Sequence, residues 1–175
     1  MIGTITSGEQ QIKWDKRMLG LAKHVATWSK DPSTQVGAVL ACHKKVVSLG
    51  YNGFPPEIED TYELLHDREA KYEKVVHAEK NAIRFANRDG RLMTLYTYPF
   101  PPCRECAEYI TDVEEHGVSI RRVVAPFNIP DRWRQSVLDA TIIFEKAGIE
   151  VDYNYEIIRI TRMGMPTHET YIARM

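Results

Sequence analysis

The stretch HAEKNAIRFANRDGRLMTLYTYPFPPCRECAEYI, His77 to Ile110, decides how the rest of the chain is read. Its pattern predicts a helix over His77–Ala86, a strand over Leu92–Thr97 and a second helix running from Arg104 to Glu115. His77 and Glu79 stand two apart at the head of the first helix, and Cys103 and Cys106 stand three apart at the head of the second. A helix N-terminus carries partial positive charge and favours thiolates, so the cysteine pair suits a metal. Two thiolates lack a full tetrahedral set, and His77, 26 residues before Cys103, supplies a third ligand once the strand brings the two helix ends together. Three protein ligands leave one position open, which is the arrangement of a catalytic zinc site rather than a structural one. Water in that position is acidified toward neutral pH and becomes a source of hydroxide. Glu79, not needed as a ligand, is placed to take up the water's proton.

Outward from this core, Trp14, Met18, Leu21, Ala22 and Val25 recur at helical spacing, and that helix is expected to stop before DPST, where Pro32 restricts Asp31. The apolar runs Val36–Cys42 and Val46–Tyr51, split by HKK, read as a hairpin that ends in the turn-prone NGFPP. Cys42, in an apolar run, is expected in the core. The segment EIEDTYELLHDREAKYEK has no strong period and reads as a partly helical surface excursion. Beyond the cysteines come a strand over Arg121–Ala125, a helix over Asp131–Ala147 and a strand over Ile149–Tyr153. Strands alternating with helices imply parallel pairs with right-handed crossovers, built onto the opening hairpin. The expected fold is a three-layer α/β/α sandwich around a mixed sheet of about five strands. One domain spans 1–175, with its core over about 14–153 and the tail 154–175 forming an edge strand or an arm.

Composition fits this reading. At 175 residues and 43% hydrophobic content the chain has material for one substantial core. Twenty-three basic against twenty-four acidic residues give a net charge of -1, without the broad basic footprint of a nucleic-acid partner. No apolar run approaches the roughly 20 residues of a membrane helix, and MIGTITSGEQQIKWDKR lacks the apolar core of a signal peptide, so a cytoplasmic protein with no membrane partner is expected. Three cysteines are too few for a disulfide framework.

Each element alone has a plainer reading. The CxxC pair also suits thioredoxin-like redox chemistry, and His24, His43, His66 or His116 would complete a four-ligand structural site. The combination is more informative: HxE followed by PCxxC across helix, strand and helix matches the zinc deaminase signature. SKDPSTQVGAV, GYNGFPP, VVHAEKNAI and PFPPCRECA together resemble the deoxycytidylate deaminases, over roughly Ser29 to Gly148. The lead PFPPC is longer than the single proline of many relatives, a difference at the pocket rim.

The resemblance implies zinc on His77, Cys103 and Cys106, with Glu79 as the proton shuttle in hydrolysis of dCMP to dUMP and ammonia. It also implies a pocket built from VGA and the GYNG loop, where Ala38 offers its amide to the pyrimidine O2 and Asn52 suits a sugar hydroxyl. Asn52 has a second reading, as a turn residue at positive φ. Lys30 and Ser33 are candidates for the 5'-phosphate, and the Pro101 carbonyl for the departing amine. A nucleoside cytidine deaminase, a tRNA adenosine deaminase and an inactive zinc-binding module are the alternatives. The family further implies a homo-hexamer activated by dCTP and inhibited by dTTP, with Mg2+ accompanying the effector. Tyr51, Asn52 and Gly53 would then contact the effector, and Phe85 and Arg88 a subunit interface. Their plainer reading is an aromatic in the core and a solvated arginine near a helix end.

Overall fold

The run GAVLAC forms β1 (Gly37–Cys42), buried along its whole length because it has a strand on either side and helices above and below. The computed structural model describes residues 7–87, 90–112 and 117–154. Arg88, His116 and the tail beyond Asn154 lie outside the described residues. β1 pairs antiparallel with β2 (Lys45–Tyr51) and, on its other edge, with β3 (Leu92–Tyr98). β3 runs parallel to β4 (Ser119–Pro126), and β4 runs parallel to β5 (Glu150–Asn154), giving the order β2-β1-β3-β4-β5.

Side chains alternate across the pleat and divide the core in two. Val39, Ala41, Tyr96 and Val124 face α1 (Ser7–Ala26), where Met18, Leu19 and Ala22 meet them. Ala38, Leu40, Leu95 and Val123 face the opposite layer, made of α4 (Ala78–Arg84), α5 (Arg104–Asp112) and α6 (Arg134–Lys146). The expected three-layer α/β/α sandwich and mixed five-stranded sheet are observed. Cys42 is buried in the core. On the α1 side, Asp15 accepts from Arg122 at 2.8 and 2.9 Å and from the Tyr96 hydroxyl at 2.9 Å, joining α1 to β3 and β4.

Two glycines set the helix–sheet distance. A Cβ on Gly37 would lie 2.1 Å from the Ala22 carbonyl oxygen of α1, and one on Gly50 would lie 2.2 Å from the Ala78 carbonyl oxygen of α4. Only a hydrogen at each position lets the backbones approach so closely. Ser48 Oγ donates to the Ala82 carbonyl at 2.5 Å and fixes α4 from the same strand.

Four expectations are corrected. The acidic segment forms α2 (Tyr62–His66) and α3 (Arg68–Lys74), and α3 turns Lys71 inward, so the segment is more than a surface excursion. The helix headed by His77 ends at Arg84, where the Phe85 backbone (φ -94°, ψ 3°) leaves the α region, so it does not persist to Ala86. Phe85 is 76% exposed, which excludes the core reading of that side chain. The helix expected over Asp131–Ala147 opens instead as a 3-10 turn, Asp131–Trp133, ahead of α6.

Candidate active site

The site lies where α4 and α5 present their N-termini beyond the carboxyl end of β3. His77 is the N-cap of α4 in an extended backbone conformation (φ -69°, ψ 151°), and its side chain makes no capping bond. The ring is therefore available to other partners. Cys103 precedes α5 and its carbonyl accepts from the Ala107 amide at 3.0 Å, while Cys106 sits in the first turn of α5 and is buried. The GYNG segment reaches the same place: Gly53 and Val76 exchange backbone hydrogen bonds at 2.9 and 3.2 Å, immediately before His77. Lys80 of α4 forms an ion pair with Glu105 of α5, a second tie between the two helix heads.

His77, Cys103 and Cys106 place one ligand atom each within 4.8 Å of one another. His77 Nδ1 lies 3.1 Å from Cys106 Sγ and 3.5 Å from Cys103 Sγ. Zinc bonds of about 2.3 Å to sulfur and about 2.0 Å to nitrogen, at tetrahedral angles, would separate N and S by about 3.5 Å. Two thiols and an imidazole at this spacing fit zinc in chemistry and in size. The proton distribution agrees. Hydrogen bonding from Cys106, with His77 adding to it, lowers the Cys103 thiol to about 4. The hydrogen bond to Cys103 raises His77 to about 9. Its own hydrogen bond with Cys103, together with burial, pushes Cys106 up. The cluster thus already holds one thiolate, and a bound dication would replace the remaining protons.

Glu79 is 5% exposed, and burial raises its carboxyl above the ordinary range. It lines a cavity of about 80 Å³ together with His77, Cys103, Val36, Asn52 and Phe100. Lys71, Tyr72 and Val75 close the cavity from the α3 side, and Trp133 closes it from the 3-10 turn. A wider cleft of about 640 Å³ shares Asp31, Ser33, Thr34 and Phe100 with it and adds Asn128 and Arg132.

The other candidates are placed as follows. Asn52 lines the cavity, but its side chain also fastens the preceding loop: Oδ1 accepts from the Val36 amide at 2.7 Å and Nδ2 donates to the Thr34 carbonyl at 2.9 Å. Its φ is not positive, so the turn reading does not hold. Ser33 lines both cavities. Lys30 lines neither; its side chain is 67% exposed and its ammonium pairs with Asp60 at 2.8 Å. Ala38 is fully buried in the α4-facing core beside Ala78, and neither it nor Pro101, also buried, is part of the cavity lining. Tyr51 is partly exposed and its carbonyl accepts from Asn81 Nδ2 of α4 at 2.9 Å. Lys71, Arg132 and Trp133 were not singled out by sequence reasoning. Lys71 sits among charges that look solvated, and the other two sit in what reads as a helix start.

Comparison with known proteins agrees with this geometry. The profile of the cytidine and deoxycytidylate deaminase zinc-binding region matches residues 12–124. An uncharacterised deaminase encoded in the luxG 3' region of Aliivibrio fischeri is 41% identical over 144 residues, covering 81% of this chain and 93% of that protein. Mouse deoxycytidylate deaminase is 33% identical over 152 residues, covering 81% of this chain and 79% of that protein. The dCMP deaminase of cyanophage S-TIM5, solved with dCMP and dUMP, shares the fold at a TM-score of 0.63 and 18% identity over 82% of this chain and 97% of its own. A zinc-fitting His–Cys–Cys cluster, a buried carboxylate beside it and a matched profile spanning most of the described chain together make this protein a member of the cytidine and deoxycytidylate deaminase family.

Proposed function

We propose that the chain hydrolyses dCMP to dUMP and ammonia. The observation that carries this reading is Glu79, a carboxylate buried in the same cavity as the His77 and Cys103 ligand atoms, in a protein whose relatives include named deoxycytidylate deaminases. Zinc, when bound by His77, Cys103 and Cys106, supplies the Lewis acidity that makes water nucleophilic at neutral pH. Glu79 takes a proton from the attacking water, delivers it to N3 of the cytosine ring, and passes a second to the amine that leaves C4. The raised carboxyl and the exclusion of solvent suit a group that must both accept and donate. Asn52 keeps one N–H and one lone pair beyond its two backbone bonds, enough to hold a sugar hydroxyl.

The reading extends to regulation by dCTP and dTTP with Mg2+, in a cytoplasmic homo-hexamer. Supporting it, Tyr51 and Gly53 belong to a segment that Asn81 and Val76 tie to the metal-ligand helix, and exposed Phe85 stands at that helix's far end. No helix among the described residues is long and apolar enough to cross a membrane.

The test is ammonia release across dCMP, CMP, deoxycytidine, dCTP and 5-methyl-dCMP. The dCMP rate is expected to exceed that of deoxycytidine, because a phosphate adds charge-assisted contacts. Release from none of the five, or equal kcat/KM for dCMP and deoxycytidine, contradicts the assignment.

A further inference from the structure

Around the loop 31–34 the structure gathers hydrogen-bond donors that have no acceptor. Lys71, a cation only 5% exposed, reaches in from α3 and donates to Asp31 Oδ1 and Ser33 Oγ, both at 3.1 Å. The same Asp31 oxygen accepts the Ser33 and Thr34 amides at 2.7 and 3.1 Å, so the loop is held rigidly. From the other side, Arg132 Nη2 donates to Thr34 Oγ1 at 2.8 Å. Each hydroxyl has thus accepted from a cation, and its own proton is left to donate elsewhere. No acceptor for either proton is found among the described residues.

The charges lead to the same conclusion. Asp31 offsets Lys71, whereas Asp131, the carboxylate next to Arg132, pairs with Arg134 at 2.6 Å. No carboxylate pairs with Arg132 among the described residues, and its guanidinium keeps N–H groups beyond the one given to Thr34. The adjacent Trp133 contributes a further donor: its Nε1 is shielded from solvent and has no hydrogen-bond partner among the described residues. Two hydroxyl protons, spare guanidinium N–H groups and a net positive charge are the complement of a group that only accepts and carries negative charge. A phosphate monoester is such a group.

The location selects its source. Ser33 and Thr34 line both the small cavity that holds Glu79 and the wide cleft that holds Arg132. A ligand whose ring enters the small cavity leaves its far end at this junction. Resting on the cytosine-deamination reading above, we propose that Ser33, Thr34 and Arg132, braced by Lys71, seat the substrate's 5'-phosphate, and that Arg132 makes the enzyme choose nucleotide over nucleoside. Lys30, the other cation near this loop, is held by Asp60 and lines neither cavity.

The experiment compares kcat/KM for dCMP and deoxycytidine in the parent enzyme, Arg132→Gln, Arg132→Lys and Lys30→Gln, with inorganic phosphate as a competing ligand. Arg132→Gln is expected to shrink the dCMP-over-deoxycytidine preference by about 10- to 100-fold, mainly through KM, and to weaken inhibition by phosphate. Arg132→Lys should recover part of the preference, because charge returns without the planar fork. Zinc content equal to the parent's shows that the variant is folded; should Arg132→Gln not fold, Thr34→Val reads the same ratio, with an expected fall of about 3- to 10-fold. A preference kept in Arg132→Gln, an equal loss on both substrates, or a collapse in Lys30→Gln alone overturns the seat. A parent enzyme with no preference for dCMP overturns instead the nucleotide reading on which the seat rests.

Discussion

Cys106 shows how much a single position carries. It lies in the first turn of α5, buried, 3.1 Å from His77 Nδ1, and it supplies the sulfur that holds Cys103 as a thiolate. Cys103→Ser/Cys106→Ser leaves one ligand of three and is expected to abolish zinc binding; metal analysis showing the parent's zinc content in that variant would refute the ligand set. The gathering of His77, Cys103, Cys106 and Glu79 at one place could be read from the sequence because each pair sits within one turn of one helix head. Lys71 could not, because its partner Asp31 is 40 positions away and only the packing of α3 against the loop buries the pair. Asn52 was legible as a pocket residue, but not as the clasp of the 34–36 loop, which depends on backbone groups 16 and 18 positions distant.

At the scale of elements, the succession of strands and helices along the chain follows from periodicity, whereas helix length does not. α4 stops one turn beyond Glu79's own turn, and nothing in HAEKNAIRFANRDG marks Phe85 as the residue that leaves the helix. What places α4 is equally hidden in a tripeptide, LGY of β2, where Gly50 admits the Ala78 carbonyl. Gly50→Ala puts a methyl carbon 2.2 Å from that oxygen, so α4 must move and take His77 and Glu79 with it. Overpacking of this kind costs about 1–3 kcal/mol or more. The expected result is a lowered Tm with lowered zinc affinity in the folded protein; a variant matching the parent in both would show that α4 is not held by this contact.

For the whole molecule, the sheet separates chemistry from anchorage. The cavity lined by Glu79 lies on the layer of α4 and α5, and the Asp15–Arg122–Tyr96 cluster lies on the layer of α1. Asp15→Ala removes one of the two carboxylates paired with the Arg122 guanidinium and leaves Asp152 at 2.5 Å, so the expected cost is below the about 3–5 kcal/mol of a buried charge left with no partner. Denaturation should show that loss, while zinc content and kcat of the protein remaining folded stay at the parent's values; a fall in kcat instead would mean that the two layers are coupled. The central claim is that Glu79 moves the protons of cytosine deamination beside a zinc held by His77, Cys103 and Cys106. Its most direct test is ammonia release from dCMP by the zinc-loaded parent and by zinc-loaded Glu79→Gln. Release by the parent is expected, with a loss of about 10⁴-fold or more in the variant at full zinc occupancy, the upper end for general acid–base work. A parent that releases no ammonia, or a Glu79→Gln variant within about tenfold of it, would mean that Glu79 does not move these protons.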